Sequence, residues 1–497
     1  MVEKYRMFIG GKWVESSSKE TFDVRNPATE EVIANVPLGT KEDAKSAIDA
    51  AREKFDSGVW SNKTPAERSL ILWKLADLVE ANAQKIATLE SMNVGKTIKY
   101  SRDSDLPFII DNLRFFAGAA RMLEGKSASE YSGLGTSIIR REPIGVVVGV
   151  VPWNYPLYIA IWKLAPALAA GNTVIVKPAS LTPLTQLEFA KLAQIAGVPD
   201  GVLNVITGQG EVVGEELATS PNVDMISLTG DTSTGKKIMQ MASGNLKKVH
   251  LELGGKAPFI VLDDANIDAA TEGAVVAAFW NSGQDCTAAT RVYVHESIHD
   301  EFVKLLVKKA QNIRIGNPLD ERTDMGPLVS GKQRERIEAY VQSGIEEGAN
   351  LVHGGKRPEN LEKGYFFEPT IFTGVEQKMR ICQEEIFGPV LSVSGFSTVD
   401  EAVEKANDVV YGLASSVWGK DITSLIRIAN RLKYGTVWIN EHGVLTSETP
   451  HGGFKQSGFG KDLSLYSLEE YTQVKHVYID QTGSVRKPWY YTVYGEK

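Results

Sequence analysis

The chain has 497 residues, a formal net charge of −8, 43% hydrophobic and 23% charged residues, and two cysteines. That length allows about two to four domains around large cores, and the ordinary composition excludes disorder and fibrous repeats. So few cysteines exclude a disulfide scaffold and fit a reducing compartment, while the mild acidity argues against a nucleic-acid partner. The N-terminus lacks the apolar segment of a signal peptide. The richest apolar stretch, 144–168, is broken by Pro152, Asn154, Pro156 and Lys163, so no membrane helix is expected and a cytoplasmic protein is the default.

In chain order, short strands are predicted over 7–9, at Val14 and over 21–24. Thr40 caps an amphipathic helix with Ala44, Ala47, Ile48 and Ala51 on one face. Thr64-Pro65-Ala66-Glu67 is a capping box that opens a long helix through Leu70, Leu72, Leu75 and Leu78. Another helix carries Phe108, Ile109, Leu113 and Phe116. From Ile144, β-branched runs at 145–151, 173–176, 202–207, 225–228, 249–253 and 259–262 alternate with helices such as 185–196 and 211–220. That alternation predicts a parallel, doubly wound α/β sheet. A second α/β series follows: strand 292–294, helices 299–313 and 332–347, and strands near 390–393, 414–417 and 436–439. The tail is dense in aromatics (Trp489, Tyr490, Tyr491, Tyr494) and is expected to pack on something, a second subunit being one candidate.

Several residues can carry chemistry. Gly208, Gly210 and Gly214 approach a dinucleotide fingerprint with the wrong spacing, which reads as a cofactor turn or a plain strand-to-helix turn. Segment 229–236 ends a strand and opens a helix; it is a phosphate site or a capped turn. Cys286 sits among Gly283, Gln284, Asp285 and Thr287, a loop or helix start where a thiol becomes a nucleophile; otherwise it is a small buried hydrophobe, the reading given to Cys382. Glu252 lies between Leu251 and Leu253, where a carboxylate gains a raised pKa and base character; the alternative is an ion pair with Lys256 or a solvated strand end. Asn154 can donate to an oxyanion or simply build a turn. Lys177 ends a strand where ligands bind, or is a surface lysine. The seven histidines lack metal-ligand spacing, so no metal is expected.

Segments 152–156, 177–178, 229–235, 251–256, 283–286 and 384–389 together resemble, in order, the motifs of the aldehyde dehydrogenase superfamily, with the likeness running from about Phe8 to His476. The resemblance implies an α/β fold with a Rossmann-like cofactor domain (1–124 and 142–253) and an α/β catalytic domain (254–455). A β-hairpin oligomerisation element with the tail (125–141 and 456–497) would give a homo-oligomer, a dimer or tetramer. It implies Cys286 as nucleophile, Glu252 as base for thioester hydrolysis and Asn154 as oxyanion donor. NAD or NADP would be held by Trp153, Lys177, Ser180, Gly230, Thr232, Gly235, Leu253, Glu385 and Phe387. Ser180 stands where many NAD-preferring relatives carry glutamate, which removes repulsion against a 2′-phosphate. Asp231 stands where a small polar residue is usual, and Asp462 where glutamate is usual.

Within the superfamily the likeness is greatest to aminobutyraldehyde and betaine aldehyde dehydrogenases, carried by 113–121, 283–288 and 448–453. By that likeness Asp105 would be an acidic entrance residue, Tyr155, Trp162 and Trp280 an aromatic wall, Glu448 added charge, and His451 a replacement for a box tryptophan. The small-molecule substrate would be an aminoaldehyde such as 4-aminobutyraldehyde. Betaine aldehyde, succinic semialdehyde and broad aliphatic aldehydes are the alternatives, and a non-catalytic binding role is the reading from a different class.

Overall fold

The computed structural model describes residues 2–126 and 128–495. The valine-rich runs form the centre of an eight-stranded sheet. Its order is Gly458–Phe459, Lys248–Glu252, Met225–Thr229, Val146–Val150, Thr173–Lys177, Leu203–Val205, Met7–Ile9, Lys12–Val14. The five strands from Lys248–Glu252 to Leu203–Val205 are mutually parallel. Val147 and Val174 point into one core and Val146, Val148 and Ile175 into the other, because successive strand side chains alternate between faces. Such a sheet is covered on both sides and reads as continuous apolar runs.

Register fixes what the sheet presents. Thr229 lies opposite Glu252, and Val150 opposite Lys177, so these strands end along one carboxyl edge. Ligands bind at that edge in open α/β sheets. The broken apolar stretch includes a helix, Pro156–Ala170, buried almost all round. Proline in its first turn is tolerated because that N–H needs no partner. The predicted capping box opens Pro65–Ala81, and the predicted Thr40 cap of Lys41–Asp56 is a capping box as well, closed by Asp43.

A second sheet of seven strands runs Asn350–His353, Thr370–Thr373, Val390–Phe396, Arg291–His295, Pro258–Val261, Ala414–Trp418, Thr436–Ile439. It packs its own apolar cores around Phe259, Val292 and Leu391 on one face and Ile260, Tyr293 and Val417 on the other.

The resemblance implies a hairpin near 125–141 that joins a C-terminal strand near 472–479; that joining is present, with the first strand starting later than expected. The strand is Gly135–Pro143, and its antiparallel partner is Thr472–Asp480. The segment before Gly135 is mostly small or polar, with low strand preference, and among the described residues it meets this element through the Ser129–Ser137 bridge and hydrogen bonds from Ile139 N to the Lys126 carbonyl and Gln481 N to the Leu134 carbonyl. Gly458–Phe459 pairs with Lys248–Glu252, so the segment after residue 455 first completes the large sheet before joining the outlying ladder. The tail forms short turns, Pro488–Tyr490 and Tyr491–Tyr494, with Trp489 60% and Tyr494 70% exposed; it finds no core in its own chain. No helix among the described residues is long and apolar enough to cross a membrane.

Candidate active site

Cys286 sits in the loop that links the helix Ile267–Phe279 to the strand Arg291–His295. This is a loop and not the helix start considered from sequence. Asn281, Ser282 and Gly283 all take left-handed backbone angles, a strained reversal that turns the loop back across Gly255. A Cβ on Gly255 would lie 2.1 Å from the Cys286 carbonyl oxygen, so only glycine admits this approach. Asn154 Nδ2 donates to the Gln284 carbonyl at 3.0 Å, and Asn281 Nδ2 donates to the Asn154 carbonyl at 3.1 Å. The Asn154 amide is therefore clamped beside the nucleophile loop with its second N–H uncommitted.

The thiol is not activated at rest. Burial raises the Cys286 pKa well above its ordinary value, the charges of Asp285, Glu385 and Glu252 raise it further, and its own backbone N–H opposes them. Glu252 is 3% exposed, so it is not a solvated strand end, and among the described residues it forms no ion pair with Lys256. Burial and then the neighbouring Asp462 charge raise its pKa. A carboxylate so placed has the basicity a general base needs near neutral pH. Lys256 is buried too, and burial lowers it to about 7.

Beside Cys286 opens a cavity of about 720 Å³ lined by Tyr100, Phe108, Tyr155, Tyr158, Trp162, Trp280 and His451. Trp280 Nε1 donates to Tyr155 Oη at 2.7 Å, and Tyr155 Oη donates to Asp285 Oδ2 at 2.6 Å. Asp285 Oδ1 accepts from Thr287 N and Oγ1, both at 2.6 Å, so one carboxylate ties the aromatic wall to the nucleophile loop. The lining carries five carboxylates (Asp103, Asp111, Asp285, Glu441, Glu448) and no lysine or arginine. Its histidines are neutral: burial lowers His442 and lowers His451 to about 4. Asp103 is held by Arg102 outside the cavity, at 2.7 Å through both oxygens. Glu448 stands exposed at the rim.

Asp105 is not an entrance residue. It is 1% exposed and forms an ion pair with the buried Lys96. Asp103 and Asp105 both lie in the π-helical turn Ser101–Asp105, with Asp103 on the cavity and Asp105 in the interior beside Lys96. Burial raises Asp105 to about 6 despite Lys96. Asp105→Asn is therefore expected to lower unfolding free energy by about 3 kcal/mol, since it weakens a buried pair. Chemical denaturation measures this, and the KM ratio between charged and neutral aldehydes should stay unchanged.

The sheet edge gathers a second set. Lys177 is buried, its Nζ donates to the Pro178 carbonyl at 3.1 Å, and burial lowers it to about 8. Ser180 Oγ donates to the Gly208 carbonyl at 2.9 Å. Gly230 and Thr232 begin the helix Thr232–Ala242, where Asp231 turns back as the N-cap and accepts from Ser233 N at 2.7 Å. A Cβ on Gly235 would lie 2.7 Å from the Leu253 side chain, so this glycine lets the helix lie on Leu253. Glu385 accepts from Gly255 N at 2.8 Å, and burial raises it to about 7. Phe387 has a left-handed φ of 62° and meets Trp153 edge-on at 5.1 Å between ring centroids. Lys177 keeps unspent ammonium hydrogens and Glu385 an acceptor oxygen, a donor and acceptor pair suited to sugar hydroxyls.

Sequence reasoning missed Asp285, Asp111, Glu441 and Tyr100. Each lies in a segment of its own, and only the Asp285 position beside Cys286 offered a signal.

A two-lobed α/β protein with a thiol, an oxyanion donor and a buried carboxylate at the seam matches what the comparisons find. The family model described as "Aldehyde dehydrogenase family" matches residues 13–477. Betaine aldehyde dehydrogenase of Bacillus subtilis (strain 168) is 49% identical over 474 residues, covering 95% of this chain and 96% of that protein. Human aldehyde dehydrogenase 1A1 is 44% identical over 478 residues, covering 96% and 95%. A crystal structure of betaine aldehyde dehydrogenase from Staphylococcus aureus in complex with NAD+ superposes with a TM-score of 0.95 at 43% identity, covering 97% of this chain and 96% of that one. The chain belongs to the aldehyde dehydrogenase family.

Proposed function

We propose that this enzyme oxidises an aldehyde bearing a cationic amine, 4-aminobutyraldehyde being the type, to its carboxylic acid with NAD or NADP. The observation that carries the substrate class is the cavity lining: carboxylates and aromatic faces, no basic side chain, and neutral histidines. Aromatic faces and the acids without a cationic partner among the described residues, Asp111, Asp285, Glu441 and Glu448, attract an ammonium and repel a carboxylate-tailed aldehyde such as succinic semialdehyde. The second reading, betaine aldehyde, is favoured by the names of the relatives; His451 in place of a larger aromatic leaves that part of the wall less suited to a trimethylammonium.

Cys286 Sγ gives up its proton to water in the open cavity and attacks the aldehyde carbon, and the carbonyl π pair moves onto oxygen. The free Asn154 N–H and the Cys286 backbone N–H bind that oxyanion. Lys177 and Glu385 would hold the two riboses, Trp153 and Phe387 the nicotinamide end, and Gly230, Thr232, Gly235 and Leu253 the pyrophosphate path. When bound, the nicotinamide supplies the hydride acceptor that leaves a thioester on Cys286. Glu252 then takes a proton from the water that attacks the acyl carbon, and the C–S bond breaks with its pair on sulfur.

The substrate reading is tested by comparing 4-aminobutyraldehyde, betaine aldehyde, succinic semialdehyde and butanal. Glu441→Gln should raise KM for the aminoaldehyde about three- to tenfold, the scale of one partly exposed charge, and leave butanal unchanged. Equal effects on both would refute the ammonium role. Ser180 supports use of both cofactors; Ser180→Glu should lower kcat/KM for NADP at least about tenfold while sparing NAD, by repulsion of the 2′-phosphate. A several-hundred-fold preference of the unmodified enzyme for NAD would refute the reading. The open edges of the Gly135–Pro143 and Thr472–Asp480 ladder, with Val474 and Ile479 exposed, support a homo-oligomer.

A further inference from the structure

Glu252 shares a buried polar chamber with His250 and Asp462. Their side chains are 3%, 0% and 0% exposed. His250 Nε2 lies 3.8 Å from Glu252 Oε1 and 3.8 Å from Asp462 Oδ1. On the other side of the ring, Nδ1 lies 3.8 Å from Glu470 Oε2, whose side chain is 27% exposed. Neither nitrogen of His250 has a protein hydrogen-bond partner among the described residues, and neither does Glu252 Oε1 or Asp462 Oδ1. Buried polar atoms are seldom left so. One atom from each of His250, Glu252 and Asp462 lies within 4.8 Å of the others, a spacing at which a single water can bond all three.

The chamber is unsuited to a metal ion. Lys163 Nζ already sits 2.5 Å from Asp462 Oδ2, and Lys248 and Lys461 add positive charge around His250. It suits a mobile proton. We propose that His250 carries the proton released at Glu252 outward to Glu470 and solvent. The proposal rests on Glu252 being the hydrolytic base.

The geometry supplies the direction. The Asp462–Lys163 pair is closed at both ends, each side chain being 0% exposed. Glu470 is the acid facing His250 that reaches solvent. Gly460 packs against the ring: a Cβ there would lie 2.5 Å from His250 Cδ2 and 2.9 Å from Glu470 Oε2, so glycine keeps the route clear. The groups facing His250 are the acids Glu252, Asp462 and Glu470, the cations Lys163, Lys248 and Lys461, the Tyr471 ring, and Ser227 opposite it on the neighbouring strand. Burial and then the three lysines hold the imidazole well below its ordinary pKa, so it is neutral, with one donor and one acceptor nitrogen.

The step balances. The attacking water gives one hydrogen to Glu252 Oε1, and its second hydrogen goes to the Cys286 sulfur after the C–S bond breaks. The Glu252 proton passes to His250 Nε2 as the Nδ1 proton passes to Glu470 Oε2, and Glu470 releases it to solvent. Proton exchange through bridging water, from Nε2 back to Nδ1, restores the first tautomer. The 3.8 Å gaps close through a bridging water or a small turn of the ring.

Rapid-mixing measurement of NADH absorbance on the whole enzyme, with 4-aminobutyraldehyde or butanal, tests this. His250→Gln should keep the first-turnover burst and lose about hundredfold in steady-state rate, the lower end of the range for a lost proton-transfer group. Its solvent deuterium isotope effect should rise, and added imidazole buffer should restore the rate. Glu470→Gln, at the surface, should show the same pattern to a smaller degree. Wild-type rates and isotope effects in both variants would overturn the proposal, as would loss of the burst in His250→Gln. Normal turnover by Glu252→Gln would instead overturn the base reading on which it stands.

Discussion

Cys286→Ala is expected to lose aldehyde oxidation by about 10,000-fold or more, the scale seen when a covalent nucleophile is removed. The loss should appear in kcat, with cofactor binding retained, because Lys177, Glu385 and Phe387 stand on other segments. Stopped-flow NADH formation and cofactor titration separate the two. A fall in cofactor affinity without a fall in single-turnover rate would contradict the assignment. The resting thiol carries a further consequence. Burial and the charges of Asp285, Glu385 and Glu252 raise its pKa, so the free enzyme should alkylate slowly at neutral pH and faster as pH rises.

Glu252→Gln is expected to stop after one turnover. NADH should appear in a burst of about one equivalent per site, followed by turnover slower by about 100- to 10,000-fold. On the proposed mechanism the first half of the reaction would use Cys286 and Asn154, and the second half the base. The pH dependence has a definite sign. A base works only when deprotonated, and burial with the Asp462 charge raises the Glu252 pKa. Hydrolysis in the unmodified enzyme should therefore fall as pH drops through that raised value, and the variant should lose this acidic limb.

The α/β alternation was legible because parallel strands buried on both faces leave continuous β-branched runs, as at Val146–Val150 and Thr173–Lys177. Cys286, Glu252 and Asn154 stood out because each sits in a short motif beside glycine, proline or a strand end. The helix Pro156–Ala170 did not, because a helix buried all round has no polar stripe to mark its period. The pairing of Gly135–Pro143 with Thr472–Asp480 joins segments far apart in the chain; no local pattern encodes it, and only the family resemblance pointed to a strand near 472–479 beside the hairpin near 125–141. Asp103 and Asp105 lie in one π turn, Ser101–Asp105, and which of them faces the cavity appears only in the fold. The acids of the cavity come from several segments, so their convergence appears only in the fold.

The account rests on an acyl group passing through Cys286 and waiting there for Glu252. Intact-protein and peptide mass spectrometry of Glu252→Gln, quenched in acid after mixing with NAD and 4-aminobutyraldehyde, tests this directly. The predicted result is a mass increase equal to the aldehyde less two hydrogens, located on the peptide containing Cys286 and absent from Cys286→Ala. An unmodified Cys286 after NADH has formed would contradict it.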